Sequence, residues 1–387
     1  MLELLFLLLP LAAAYGYYMG RNSLRSKKLN AKNRHNATYL RGVEYLFSNN
    51  QEKAVDKFIA YLNGTDPTFE SRLALGNLLR QRGEFDKAIA LHERMAADET
   101  LDDAEKELAT LELSRDFLNA GVFNQAEELL KNLINIPRQR VESANLLLKV
   151  YEREGDYQAA IAVAESYSEI LGNEIKGRLA DYWCEMGNAE LGQGNIEKAR
   201  SFFKKALNND PKAVRPRLCL AETLLKQGRY NEAFLLVKDA WSSDPVYGLL
   251  CLDHLKRCFV NKADPKYRFA LEDLVHRTNS ASAMVELVKA TELSSGADDA
   301  EAMLLNFLHD KVNLKLFSAL MELRSHKLRA GENDALMQLK SLMDAQIVQS
   351  PRFVCRKCGF ESSVMFWQCP SCRRWRTLKP RHGIDGD

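Results

Sequence analysis

The sequence has no G-x4-G-K-[ST] phosphate loop, no G-x-S-x-G nucleophile elbow and no H-E-x-x-H helix. Its seven histidines (His35, His92, His254, His276, His309, His326 and His382) are scattered, and no two fall at the H-x3-H spacing that puts imidazoles on one helical face. Gly192 and Gly194 in LGQGN follow no strand, so they read as helix-turn glycines rather than a dinucleotide loop. Charge of one sign is lacking too. A net charge of +2 argues against a surface built throughout for nucleic acid. Proline is scarce, ten in 387 residues, while Leu, Ala, Glu and Lys abound, which favours helix. The remaining composition, 46% hydrophobic and 27% charged, excludes wholesale disorder. The length allows two or three compact domains or one elongated repeat array.

The first apolar run, LELLFLLLPLAAAYGYYM at residues 2–19, is charged only at Glu3. As a helix it would span roughly 27 Å, enough for a thin bilayer core. Pro10 is tolerated better in lipid than in water, and Tyr15, Tyr17 and Tyr18 fall where amphipathic rings favour headgroups. Arg21, Arg25, Lys27, Lys28, Lys32, Arg34 and Arg41 follow before the next acid, Glu44. The positive-inside rule then places the N-terminus outside and the bulk of the chain in the cytoplasm, with the basic residues able to hold anionic lipids. A cleaved secretory peptide is the rival, given Ala12 to Ala14, but such a peptide carries its positive charge before the apolar stretch.

The body shows a repeat of about 34 residues. Residues 183–211 carry Trp183, Met186, Gly187, Gly194, Ala199, Phe203, Ala206 and Pro211, the tetratricopeptide pattern with Met186 and Glu190 replacing its leucine and tyrosine. One period later stand Ala221, Gly228, Ala233, Val237, Ala240 and Pro245. Gly155 and Ala160 mark a repeat beginning near 141, with Gly121 and Ala126 one period before them. Gly83 and Ala88, behind Leu75, Gly76 and Leu79, mark another from about 69, and Gly42, Tyr45, Ala54 and Phe58 one from about 35. Small residues such as Gly187 and Ala199 let paired helices approach. Trp183 and Phe203 are expected to fill the space between hairpins, and the turn glycines to take positive φ. From 248 to about 350 the marks fade, leaving roughly three degenerate hairpins with turns near Gly296 and Gly331, or in the rival reading a separate non-repeat helical domain. One polar stripe on the first helices nominates Asn77, Arg80, Arg115, Lys149, Glu152 and Arg215 for a partner-binding groove.

The eight cysteines fall into two classes. Cys184, Cys219, Cys251 and Cys258 lie singly in helical patterns as small hydrophobes. Cys355, Cys358, Cys369 and Cys372 form C-x2-C, ten residues, C-x2-C, the spacing of two knuckles that close a tetrahedral site, in a reducing compartment. Gly359 supplies the unusual backbone angle after the first pair, Pro370 stiffens the second turn, and ESSVMFWQ is expected to form a short hairpin between them. So short a segment has too little core to fold alone and needs its metal. Closed coordination makes the ion structural. Four thiolates accept zinc or iron, and the sequence separates neither. The following RRWRTLKPR raises nucleic-acid binding, but no basic-aromatic stripe extends into the array, so a protein or lipid contact is favoured and no nucleic acid is expected.

The order of parts, with LELLFLLLPLAAAYGYYMGR at one end and CRKCGF…FWQCPSCRRW at the other, resembles the bacterial lipopolysaccharide assembly protein B family over essentially the whole chain. The terminal domain resembles rubredoxin, with Arg373 where the second knuckle usually has glycine. The resemblance implies an all-α tetratricopeptide-repeat superhelical solenoid with an N-terminal transmembrane helix and a small rubredoxin-like zinc ribbon. Its parts would be an anchor (1–20), a basic juxtamembrane linker (21–34), the array (35–350), the metal-binding domain (351–380) and a tail (381–387). It also implies a non-enzymatic adaptor at the inner membrane that helps the membrane-bound AAA+ protease FtsH degrade the deacetylase committing precursor to lipid A. Contacts with an inner-membrane sulfatase-like regulator and with lipopolysaccharide export proteins are implied as well. Self-association is left open.

Overall fold

The structure, a computed structural model, describes residues 68–327 and 333–387 without a break, together with Met19 and residues 41–42, 44–45, 53 and 56–59. The expected linker, Ala54, Gly331 and all of the expected anchor except Met19 lie outside the described residues. Among the described residues no helix is long and apolar enough to cross a membrane. The chain divides into two compact units, one ending at Gly155 and one running from Asp156 to Asp387.

In the first unit α1 (Phe69–Gln81) pairs with α2 (Phe85–Ala96) and α3 (Asp103–Ala120) with α4 (Phe123–Leu133), while α5 (Arg140–Glu154) packs on α4. The helix starts follow local chemistry. Thr68 caps α1, and at α3 Asp102 and Glu105 satisfy each other's backbone N–H groups in a capping box. The nominated turn glycines Gly83, Gly121, Gly155, Gly194 and Gly228 all take φ between 73° and 83°. Each such turn reverses the chain within three residues, which a Cβ would oppose.

The second unit continues with α6 (Tyr157–Ser166), a short α7 (Ser168–Leu171), and the pairs α8 (Glu174–Gly192) with α9 (Ile196–Asn209) and α10 (Val214–Lys226) with α11 (Tyr230–Ser243). The inserted α7 and Gly172 lengthen the step from Gly155 to Gly194 beyond one period. After 248, where the marks fade, six helices follow: α12 (Gly248–Cys258), α13 (Pro265–Thr278), α14 (Ala281–Ser295), α15 (Ala297–Asp310), α16 (Leu314–Lys327) and α17 (Asp334–Gln349). Trp241, Tyr267, Leu255, Leu271 and Leu274 fill the core they share with α10 and α11. Cys184, Cys251 and Cys258 are buried among apolar side chains, and Cys219 is half-buried.

Within a pair, the large residue of the second helix sits on the small residue of the first. A Cβ at Gly187 would stand 2.3 Å from Phe203 Cε1, and one at Gly42 3.1 Å from the Phe58 ring. This corrects the expected placement of the large residues between hairpins. Phe203 packs inside its own pair, and Trp183 stacks on Phe202 of that pair at 5.4 Å. The glycine turn brings the two helices so close that the only room for the ring is above a residue without Cβ. Gly187→Ala should therefore overpack the pair and lower stability by about 1–3 kcal/mol, read from the denaturant midpoint.

The last residues form a three-stranded antiparallel sheet of β1 (Phe353–Cys355), β2 (Glu361–Ser362) and β3 (Leu378–Pro380), in the order β2-β1-β3. The expected hairpin within ESSVMFWQ does not form. Each knuckle is instead itself the turn of a ladder, joining β1 to β2 and Gln368 to Trp375.

Past β3 the expected tail is a strap laid on α14 and α16. Asn313 Nδ2 donates to the carbonyls of Gly383 (3.0 Å) and Gly386 (3.3 Å), and Leu314 N–H donates to Ile384 O (2.8 Å). The Asp387 carboxylate accepts from Ser280 Oγ (2.5 Å), Ser282 N–H (2.9 Å) and Lys315 Nζ (3.2 Å). Burial pushes this carboxyl up, but Lys315, Ser280 and Ser282 outweigh burial and hold it below the ordinary range. The unfolded chain thus binds the proton more readily. The strap's contribution is full above about pH 4 and is lost as pH falls through the depressed value. Wild type should exceed Asp387→Asn in stability near neutrality, and the gap should close on acidification, measured by denaturant unfolding at each pH.

Candidate metal centre

Four thiols converge at the end of the chain. The Sγ atoms of Cys355, Cys358, Cys369 and Cys372 all lie within 4.8 Å of one another, with Cys355–Cys372 and Cys358–Cys369 at 3.7 Å. A tetrahedral ion with metal–sulfur bonds of about 2.3 Å needs sulfur–sulfur edges of about 3.8 Å, so the four side chains fit such an ion. The two knuckles repeat one backbone pattern. Cys355 N–H donates to Phe360 O (2.8 Å) and Gly359 N–H to Cys355 O (3.0 Å). Cys369 N–H donates to Arg374 O (3.0 Å) and Arg373 N–H to Cys369 O (2.9 Å). Gly359 (φ 75°) and Arg373 (φ 57°) hold equivalent left-handed positions.

The local dipoles favour thiolate. Burial works against ionisation of Cys355, but the Thr377 hydroxyl and the amides of Cys358 and Lys357 outweigh it and hold that thiol at about 6. The Phe360 amide lowers Cys358, whereas burial pushes Cys369 up to about 12 against the amides of Cys372 and Ser371. An ion would supply the charge that stabilises all four as thiolates.

The loop between Cys372 and β3 fixes this centre to the repeats. Arg376 donates through Nε to Asp181 Oδ2 (2.6 Å), through Nη1 to Asp210 Oδ2 (2.6 Å) and through Nη2 to Gly177 O (2.9 Å). Trp375 meets Tyr182 edge-on at 5.9 Å and Tyr157 at 6.5 Å. Trp367 and Trp375 flank the Arg215 guanidinium, which is 5.7 and 5.8 Å from their rings. Lys379 Nζ donates to the Tyr247 hydroxyl (2.7 Å), and Leu249 of α12 joins Phe353, Cys355, Cys369 and Leu378 in one buried cluster. Burial pushes both the Asp181 carboxyl and the Tyr247 phenol up.

Comparisons with known proteins agree with this architecture. The rubredoxin metal binding domain family matches residues 353–380, and tetratricopeptide repeat families match 71–107 and 190–247. Lipopolysaccharide assembly protein B of Escherichia coli K12 is 32% identical over all of both chains. Its namesake from Haemophilus influenzae is 32% identical over 98% of each. The chain belongs to the lipopolysaccharide assembly protein B family.

In this member of the lipopolysaccharide assembly protein B family, the nominated groove residues have distinct fates. Arg80 reaches Asn77, Glu112 (2.6 Å) and Asp116 (2.8 Å), whose other oxygen is 2.6 Å from buried His92. Arg115 pairs with Glu142. Lys149 is exposed and Glu152 half-buried. Arg215 is 4% exposed, held by Glu185 (2.7 Å) and Asp181 (3.5 Å) beneath the ribbon's tryptophans. Arg215 was nominated for an outside partner, but its neighbour is the chain's own metal domain. Within the second unit a further polar surface lies past residue 248, among residues that sequence reading did not nominate. There Asp253, Lys256, Glu286, Lys289 and Glu322 help line a trough of about 500 Å³. Asp181, Trp367, Trp375 and Arg376 were missed as a docking set, although RRWR just past a knuckle is a signal of it. Arg373 departs from the usual glycine yet keeps the glycine conformation. Arg373→Gly should stabilise the ribbon by about 1 kcal/mol, seen as slower metal loss to a chelator.

Proposed function

We propose that the chain is a non-catalytic adaptor tethered to the bacterial inner membrane through residues 1–20, with its repeats and ribbon on the cytoplasmic side. In this reading it regulates lipopolysaccharide synthesis by bringing the lipid A-committing deacetylase to the AAA+ protease FtsH. It links synthesis to assembly through the sulfatase-like regulator and the export proteins. The observation that carries the reading is a cysteine-only centre pinned to a repeat array, in a chain 32% identical along its whole length to lipopolysaccharide assembly protein B. Four thiolates close the coordination sphere and leave no position for a substrate, so the ion supports a surface. Zinc is the proposed ion, and metal analysis of native protein should find one colourless zinc per chain. Iron with a reversible visible spectrum would favour electron transfer instead.

The cellular test compares wild type with a Cys355→Ser/Cys358→Ser variant and with a chain lacking residues 1–20, each at native abundance. Both changes should lengthen the half-life of the deacetylase. Normal turnover with the untethered chain would remove the membrane from the mechanism.

A further inference from the structure

Residues 351–380 hold seven cations and one acid, Glu361, and the structure sorts the cations into two sets. Arg352, Arg376 and Lys379 reach acids of the helices: Asp253, Asp181 with Asp210, and Asp244. Arg356, Lys357, Arg373 and Arg374 are exposed and have no ion-pair partner among the described residues. The first two lie inside one knuckle and the others just past the second. The Cys355 and Cys372 sulfurs stand 3.7 Å apart, so the four cations crowd one end of the ribbon. A tetrathiolate around a divalent ion carries two negative charges and offsets at most half of theirs.

The segment between the knuckles also exposes apolar side chains. Val364 and Phe366, between the knuckles, are 60% and 40% exposed. Their loop runs antiparallel to the cationic one: Gln368 bridges to Trp375, and its side chain donates to Arg373 O at 3.1 Å. Uncompensated guanidinium groups beside an exposed aromatic match a bilayer interface, where phosphates take the charge and the headgroup level takes the ring. An acidic protein surface would answer the charge but would not use Phe366, two residues before the Gln368–Trp375 bridge, in the same way.

We propose that this end of the ribbon is a docking face for the anionic headgroups of a phospholipid bilayer. It rests on the proposed tether, which makes a contact too weak for a free protein effective at high local concentration. The test places the full chain with vesicles of phosphatidylcholine alone or with added phosphatidylglycerol. It follows flotation and the hydrogen exchange of residues 356–374. Exchange should slow about fivefold or more on the anionic vesicles only. Arg356→Glu/Arg374→Glu should abolish the slowing without changing flotation. A chain that floats with no such protection, or with equal protection on both vesicles, overturns the docking face and leaves the tether standing. A chain that floats with neither vesicle overturns both. Equal protection by poly-glutamate in solution would assign the face to an acidic protein and overturn the lipid reading.

Discussion

Arg376→Ala should destabilise the second unit by about 3–5 kcal/mol and release the ribbon from the helices. The substitution deletes three hydrogen bonds at once, to Asp181, Asp210 and Gly177. The greater harm lies in what stays behind. The Asp181 side chain is 1% exposed, and without Arg376 the cation left to it among the described residues is Arg215 at 3.5 Å. Burial already pushes this carboxyl up, and losing the nearer counter-charge raises it further. Arg376→Lys keeps a charge but not the fork that reaches three acceptors, and should fall between the two. Asp181→Asn added to Arg376→Ala should recover part of the loss, because the stranded charge is gone. Thermal unfolding should show a drop of about 10 °C for Arg376→Ala. Exchange at Gly177 to Asp181 should rise with it. A loss below about 1 kcal/mol would mean that the docking contact is a surface pair in energetic terms.

Much of this arrangement is legible in the chain, for identifiable reasons. The turn glycines and the paired small and large residues are imposed by backbone geometry at each hairpin, so Gly121, Gly155 and Gly194 show themselves in any one repeat. The four ligands are equally plain, since C-x2-C puts both sulfurs on one side of a turn whatever surrounds it. The partners across long sequence gaps are not written locally. Arg376 and Asp181 are 195 residues apart, and nothing near either one names the other. Arg215 shows how a local rule misleads. Its position in the repeat pattern matches those of Arg80 and Arg115, but that pattern does not say that Trp367 and Trp375 will cover it. The faded repeats after 248 fold through a core rich in Leu and Ala. That core needs apolar periodicity but not the signature residues. The strap was invisible because its bonds use backbone carbonyls and one Asp, which any polar tail offers.

Stripping the metal from the full chain should unfold the ribbon and leave the helices standing. Its sheet has three strands of two or three residues, and its buried side chains beyond the cysteines are few, chiefly Phe353 and Leu378. Burial of that size cannot offset the entropy of ordering some thirty residues, at about 1–2 kcal/mol each for the backbone alone. Ligation supplies on the order of 10 kcal/mol in domains of this kind, so its removal exceeds what the docking contacts return. The helical core around Trp241, Tyr267 and Leu255 is independent of the sulfurs and should keep its circular dichroism. The cleanest readout is thiol chemistry. With metal bound, the four ligands resist an alkylating reagent. After chelation they should react quickly, while Cys184, Cys251 and Cys258 stay slow in the buried core. Trp367 and Trp375 should shift their fluorescence to the red as they leave Tyr247 and Tyr182 for water. Cys355→Ser should give the same spectrum without chelator. A metal-free chain whose residues 353–380 still resist exchange would show that docking, not ligation, holds the ribbon together.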